Sequence, residues 1–125
     1  MLRQAIMTVL CLLMVMGVPA KAAPTRIRAE LVAESITPAP GGKTAIAIRM
    51  TPEPGWHGYW RNPGDAGLPA TLNWSLPKGV TVSPLRYPVP KTLVIAGLMN
   101  HVFEGEYALL TSIALPANVR AGNLI

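Results

Sequence analysis

The sequence predicts an all-β domain, either a sandwich or a barrel. From residue 24 onward, proline and glycine interrupt the chain about every 8 to 12 residues, which is the usual spacing of turns between short strands. No segment of this region sustains the period of an amphipathic helix, whereas several segments alternate between apolar and polar residues. A period of two is typical of a strand that buries one face.

Residues 1–22 precede this domain and are predicted to be a secretory signal peptide. Residues 1–4 carry one arginine and no acid, residues 5–18 are apolar, and Ala20 and Ala22 match an A-x-A cleavage site. The apolar run is shorter than the ~20 residues of a typical spanning helix, which disfavours an uncleaved membrane anchor. Cleavage near residues 22–23 would leave residues 23–125 as the exported domain.

Cleavage would also remove every thiol from the chain. Cys11, the only cysteine, lies within the apolar run, and Leu10 before it is larger than a lipoprotein signal allows. The exported chain would therefore have no disulfide and no cysteine ligand for a metal. Loss of Arg3 and Lys21 lowers the net charge from +5 to +3. The remaining basic residues form no run with interleaved aromatics, so nucleic acid is not a predicted partner.

The first half of the domain contains two predicted strands. Residues 26–35 alternate in polarity, which predicts a half-buried strand, and residues 44–50 alternate in the same way. A turn is predicted at residues 38–43, where proline and glycine cluster. Residues 51–55 are predicted to end the second strand, because their prolines cannot donate to a central ladder.

The second half is predicted to contain further strands of unequal quality. Residues 71–76 alternate most strictly and predict a strand. Residues 80–90 are interrupted by proline and predict an edge strand or a loop. A short buried strand is predicted over residues 92–98, and a further strand over residues 106–115. These segments give about six strands, whereas a sandwich of this kind needs roughly seven to cover its core. The sequence therefore predicts a sandwich that lacks its C-terminal strands, as in the front part of a longer product.

The densest group of chemically informative side chains lies in residues 56–69, WHGYWRNPGDAGLP. The first half of this segment predicts a short strand and the second half a compact loop, because proline, glycine, asparagine and aspartate favour turns. Trp56, Tyr59 and Trp60 are expected to place one or two rings in the core. The alternative is an exposed aromatic platform for a sugar ring or a partner chain.

The charged and metal-binding residues of this region suggest two further contacts. Arg61 and Asp65 are spaced so that a salt bridge could fix the loop. His57 and His101, together with methionine sulfur, would suit copper(I), but they do not form a closely spaced histidine pair. A metal site at these histidines therefore stays an alternative, and no cofactor is predicted. Catalytic residues are not assigned, since neither a G-x-S-x-G motif nor an exported cysteine is present.

A longer pattern in the same region resembles a known family. In this family the motif W-H-x-Y-W-R-N-P-G-D-x-G-x-P is followed by W-x-L-P-x-G. The first motif is matched by Trp56, His57, Tyr59, Trp60, Arg61, Asn62, Pro63, Gly64, Asp65, Gly67 and Pro69, and the second by Trp74, Leu76, Pro77 and Gly79. The chain resembles the N-terminal periplasmic domain of the thiol:disulfide interchange protein DsbD and its relative ScsB. A proline-rich segment at 87–91 and the pair Gly105–Glu106 extend the similarity.

The resemblance implies an immunoglobulin-like β-sandwich located in the periplasm. Relatives receive electrons from a membrane-embedded thiol domain and pass them to oxidised periplasmic thiol proteins, a reaction that needs a thiolate. Their cysteine pair occurs in a segment that would follow residue 125, so no catalytic role transfers to a residue of this chain. Residues 100–106 depart from the family pattern, so the resemblance does not define the loop expected near His101 and Phe103.

The functional prediction is therefore the N-terminal portion of a thiol:disulfide interchange domain that is redox-inactive by itself. Two alternatives stay open at this point. One is a non-enzymatic interaction module that uses the face between Trp56 and Trp60. The other is a weak copper-binding domain that uses His57 and His101.

Overall fold

The computed structural model describes residues 24–119, and these residues form seven strands in two antiparallel sheets. The strands are β1 (Ile27–Ala33), β2 (Lys43–Pro52), β3 (His57–Gly64), β4 (Thr81–Val82), β5 (Lys91–Ile95), β6 (Leu98–Glu104) and β7 (Tyr107–Ala114). Their order is β1-β2-β7-β4 in the first sheet and β3-β6-β5 in the second. The predicted all-β, immunoglobulin-like sandwich is confirmed. The predicted signal peptide lies outside the described residues.

The first sheet is centred on β2 and β7, and their alternating residues supply much of the core. Ile48 of β2 lies directly opposite Leu109 of β7, and both are buried. The predicted alternation of residues 44–50 is therefore confirmed. Strand β1 was expected to be half-buried, but it is exposed along most of its length, with Leu31 62% exposed. The reason is its edge position, because its extensive contacts are with β2 alone.

The second sheet differs more from the prediction, because residues 91–104 form a hairpin. Ala96 and Gly97 connect β5 to β6, and both have positive φ angles of 50° and 79°, as a two-residue type I′ turn requires. The prediction of one buried strand over residues 92–98 is wrong, since β5 is an exposed edge strand that ends at Ile95. Residues 98–104 form the central strand β6, where the sequence was expected to end the preceding strand and continue as a loop near His101 and Phe103.

The strand predicted over residues 71–76 is absent. This segment runs between β3 and β4 without pairing to either sheet. Trp74 and Leu76 are half-buried, but Leu72, the first apolar residue of the same series, is 38% exposed, so the period of two describes side-chain burial only in part. Alternation indicates which side chains share a face, but it does not supply an adjacent strand with free backbone groups. The predicted edge strand within residues 80–90 is confirmed as the short strand β4.

The two sheets meet at an aromatic contact between β6 and β7. Phe103 stacks on Tyr107 with ring centroids 4.4 Å apart. Gly58 of β3 lies opposite Phe103, and a Cβ at this glycine would collide with the Tyr107 ring and hydroxyl. Burial raises the pKa of Tyr107 above its ordinary value of 10.0, and the negative charge of ionised Tyr87 raises it further. Gly58 therefore lets the Tyr107 ring pack against the second sheet.

Residues 24–119 contain no helix with the length and hydropathy that a membrane crossing requires.

Candidate functional site

The segment 56–69 begins with a tight turn that leaves Trp56 largely outside the core. The Trp56 N–H donates to the Glu53 carbonyl at 2.9 Å, and Gly55 has a φ of 81°. Pro54 followed by a glycine with positive φ is the pattern of a type II turn. The turn points the Trp56 ring to the surface, where it is 50% exposed. Trp56 is thus not one of the core aromatics that the sequence was expected to provide.

Trp56 forms one wall of a cleft of about 600 Å³, which we call the Trp56 cleft. The Arg26 guanidinium lies over the Trp56 ring, 5.3 Å from its centroid. The same guanidinium donates to a Glu53 carboxylate oxygen at 3.0 Å. Leu68 and Pro69 of the signature segment also line this cleft. The positive charge in this cleft is therefore already paired with a carboxylate.

His57 and Tyr59 project to the same side of β3 and contact each other. The His57 Nε2 lies 3.2 Å from the Tyr59 hydroxyl oxygen, and the two rings meet edge to face. Gly67, with a φ of 96°, crosses the Tyr59 ring so closely that a Cβ would overlap it. Tyr59 is half-buried, and it lies opposite the fully buried Val102 of β6. The loop after β3 packs against the Tyr59 ring.

The loop after β3 is fixed to β6 by backbone hydrogen bonds. The Asp65 N–H donates to the Met99 carbonyl at 2.8 Å, and the Met99 N–H donates to the Asp65 carboxylate at 2.8 Å. The Gly64 N–H donates to the Asn62 side-chain oxygen at 3.2 Å, as in an Asx turn. The predicted salt bridge between Arg61 and Asp65 is wrong, because the carboxylate accepts the backbone N–H of a neighbouring strand. The predicted compact loop is present.

The buried side-chain amide of Asn100, which was not predicted from the sequence, also holds the loop after β3 against β6. Asn100 is only 2% exposed, and its side-chain oxygen accepts a hydrogen bond from the Ala66 N–H at 3.1 Å. Its side-chain nitrogen donates to the Leu98 carbonyl at 3.3 Å. A buried polar group needs such partners to offset its lost hydration. The sequence could have indicated this role only through the inward position of Asn100. That position is recognised only once residues 98–104 are known to form a strand.

The irregular end of β3 turns the next aromatic residue towards a different cleft. Ladder pairing with β6 is interrupted between Tyr59 and Gly64, and the intervening stretch, Trp60 to Pro63, is extended but out of register. The Trp60 ring meets the His101 ring edge to face, with centroids 5.5 Å apart. The His101 Nδ1 lies 3.0 Å from the Asn62 carbonyl oxygen. These contacts hold Trp60 half-buried at the surface.

Trp60 lines a second cleft of about 420 Å³, which we call the Trp60 cleft. The Arg61 guanidinium lies over the Trp60 ring, 5.2 Å from its centroid. The proline-interrupted segment forms the other side, with Arg86, Tyr87, Pro88 and Pro90. The aromatic face suggested by the sequence is therefore divided into two clefts of different charge.

The two histidines do not form a metal site in this structure. His57 pairs with Glu104 of β6, three positions from His101, so the two side chains project from opposite faces of the sheet. Across residues 24–119, three or more side chains of His, Cys, Asp or Glu are nowhere grouped so that they could hold a metal ion. The copper-binding alternative therefore gains no geometric support from these residues.

The described residues define a class of protein, a two-sheet antiparallel β-sandwich with two tryptophan-lined clefts beside the loop after β3 and no cysteine in residues 24–119. The chain belongs to the family of the N-terminal domain of the thiol:disulfide interchange protein DsbD, whose profile matches residues 28–123. Trp74 and the signature residues of segment 56–69 fall within that match.

A solved structure with the same fold is the N-terminal periplasmic domain of ScsB from Proteus mirabilis. The two share 22% sequence identity and superpose with a TM-score of 0.58, over 73% of this chain and 35% of that chain. The present chain therefore spans about a third of the length of the solved domain. No functionally curated protein matches the sequence significantly.

Proposed function

We propose that residues 23–125 act as an exported, thiol-free portion of a periplasmic thiol:disulfide interchange domain. The observation that carries the proposal is the family match over residues 28–123, a stretch without a single cysteine. In this role the chain binds thiol–disulfide proteins, and cysteines outside this stretch carry the electrons. The membrane-embedded thiol domain and the oxidised periplasmic proteins of the family are the corresponding partners.

The chemistry of the described residues supports binding without electron transfer. Thiol–disulfide exchange proceeds by attack of a thiolate on a disulfide sulfur. Neither Tyr107, whose pKa is raised by burial, nor the hydrogen-bonded histidines can replace a thiolate in that step. The export step is supported by the signal-like pattern of residues 1–22 and by the periplasmic location that the ScsB structure's name gives for that protein.

The signature residues have a structural role in this proposal. Gly67 packs the loop after β3 against the Tyr59 ring. Asp65 bonds this loop to β6, and the Asn62 side chain accepts the hydrogen bond that closes its turn. Pro63 lies in the out-of-register part of β3, Gly64 resumes the pairing opposite Asn100, and Pro69 borders the Trp56 cleft. The loop positions the two tryptophan clefts relative to the sheets, which is what a docking surface requires.

The proposal is tested by assaying disulfide reduction with purified residues 23–125. The substrate is an oxidised periplasmic thiol protein, dithiothreitol is the positive control, and the readout is free thiol formed over time. We expect the chain to produce no more thiol than buffer alone. Reduction above the buffer rate with the chain alone would overturn the proposal.

Processing is tested separately by the intact mass of the protein recovered from the periplasm. We expect an N-terminus near Ala23 and no adduct after treatment with iodoacetamide, because Cys11 leaves with the signal peptide. A chain that retains residues 1–22 and takes up one alkyl group would contradict the export step.

A further inference from the structure

We propose that the Trp60 cleft binds an extended acidic peptide segment of a partner protein. This inference does not depend on thiol chemistry. It concerns a surface that the signature loop and the proline-interrupted segment build together, and it assigns a chemistry to the occupant.

The charge of the Trp60 cleft is positive and uncompensated. Arg61 and Arg86 both line it, and Lys91 follows its last proline. Every salt bridge among residues 24–119 involves Arg26 or Arg49, so Arg61 and Arg86 keep their charges available. No acidic side chain of the described region lines the cleft. A guanidinium presents a planar set of donors that matches a carboxylate, so carboxylates are the complementary ligand groups.

The apolar walls of the cleft suit a peptide. Trp60 and Tyr87 are half-buried, and Pro88 and Pro90 lie beside them. Tryptophan, tyrosine and arginine are the residues most enriched among energetically important interface contacts. The volume of about 420 Å³ falls within the range of roughly 300–1,000 Å³ that is typical of ligand sites.

The backbone next to the cleft can receive an extended chain. Tyr87 and Val89 lie beyond the last pairing of this segment with β7, at Arg86 and Leu110. Neither residue makes a backbone hydrogen bond to another residue of the described part. Val89 is 92% exposed and separates two prolines. Pro88 and Pro90 have no N–H, but the N–H and C=O groups of Tyr87 and Val89 are open to an extended chain, which favours a peptide over a small carboxylate.

The Trp56 cleft provides an internal control for this inference. It also has an arginine over a tryptophan ring, but Glu53 pairs with that arginine at 3.0 Å. An acidic peptide would have to displace Glu53 before it could use the Arg26 charge. The two clefts therefore predict opposite responses to the same probe.

The test is a fluorescence anisotropy titration with a labelled, capped hexapeptide that alternates glutamate and valine. The protein is residues 23–125, and its fold is checked by circular dichroism for every variant. We expect saturable binding that weakens as salt rises, because exposed charges are screened. A peptide with glutamine in place of every glutamate is expected to bind at least about tenfold more weakly.

Matched variants locate the site. The double variant Arg61→Gln/Arg86→Gln is expected to weaken binding about tenfold, since both changed side chains are exposed and carry the charge. Val89→Glu places a negative charge, the same sign as that of the peptide, at an exposed position beside the cleft. The repulsion is expected to weaken binding without affecting the core. Arg26→Gln changes the charge-paired arginine and should leave the affinity within about twofold.

Three results would overturn the proposal. The first is equal binding of the glutamine peptide, and the second is an equal loss of affinity in Arg26→Gln and Arg61→Gln/Arg86→Gln. The third is the absence of saturable peptide binding, and binding to phosphatidylglycerol vesicles in that case would assign the positive surface to a membrane instead.

Discussion

Trp56 and Trp60 lie four residues apart, and each has an arginine over its ring at nearly the same distance, 5.3 Å for Arg26 and 5.2 Å for Arg61. The surroundings of the two pairs differ. Arg26 bonds to Glu53, whereas Arg61 lines the same cleft as Arg86, Pro88 and Pro90 and has no paired carboxylate among the described residues. The same cation–π pair thus belongs to a charge-balanced surface in one cleft and to an uncompensated positive surface in the other.

The difference arises from how each tryptophan enters or leaves β3. Trp56 follows a tight turn whose first residue is Glu53, so the turn itself brings a carboxylate to the arginine. Trp60 begins the part of β3 that is out of register with β6, and this irregularity directs it to the proline-interrupted segment. An irregular strand end often re-aims a side chain in this way.

The largest effect is expected from Gly58→Ala, which tests the packing that supports both clefts. A Cβ at this position would collide with the Tyr107 ring, so the sheets must separate locally. We expect the free energy of unfolding to fall by about 3 kcal/mol, as for overpacking in a core. Denaturant unfolding measures the change.

Gly55→Ala is the matched control for this substitution. It has a positive φ but no atom within 4 Å of the added Cβ, so only backbone strain of about 1 kcal/mol is expected. Equal losses in the two variants would show that the Gly58–Tyr107 contact does not support the fold.

A smaller effect is expected from Asp65→Ala, which removes the carboxylate that accepts the Met99 N–H. We expect a loss of about 1.5 kcal/mol, because a hydrogen bond to a charged group contributes roughly 1.5–3 kcal/mol. Arg61→Ala should change stability by less than about 0.5 kcal/mol. A double-mutant cycle measures the coupling free energy between Asp65 and Arg61. A coupling as large as the Asp65→Ala loss would show that the two side chains form a salt bridge and would contradict the structure.

Glu53→Gln is expected to change stability by only about 0.5 kcal/mol, since an exposed ion pair contributes little. Its value lies in the comparison, because it leaves Arg26 over Trp56 without a paired carboxylate. We expect the Trp56 cleft of this variant to gain affinity for the acidic hexapeptide. If Glu53→Gln leaves the Trp56 cleft unresponsive, charge pairing is not what separates the two clefts.

The smallest effect concerns Tyr107 and appears only at alkaline pH. Because burial raises the pKa of Tyr107 in the folded protein, the unfolded chain ionises first as the pH rises past 10.0. The contribution of this hydroxyl to stability is complete below pH 10.0 and is lost as the pH rises through the folded pKa. Tyr107→Phe should therefore lose less stability than the parent between pH 9 and pH 11, and a parallel decline would contradict the buried environment.

The sequence predicted the parts of the fold that depend on local alternation and turn chemistry. Strands β2 and β7 were found because their inward residues form a regular apolar series, and the loop after β3 was found from its asparagine, proline and glycine content. The family was also accessible, since its motif is long and continuous in segment 56–69.

The features that were missed depend on partners distant in the chain. Residues 71–76 alternate like a strand but have no adjacent strand, and Asp65 bonds to Met99 rather than to Arg61. The division between the two tryptophan clefts could not be inferred either. It rests on Glu53 preceding Trp56 in a turn and on Arg86 reaching Trp60 from another segment.

The most direct test of this division is a ¹H–¹⁵N spectrum of the tryptophan indole groups during titration with the acidic hexapeptide. Each indole N–H gives its own signal, assigned by substituting Trp56, Trp60 and Trp74 one at a time with phenylalanine. We predict that the Trp60 signal shifts progressively with peptide while the Trp56 signal stays in place. A shift of Trp56 that equals or exceeds that of Trp60 would contradict the account.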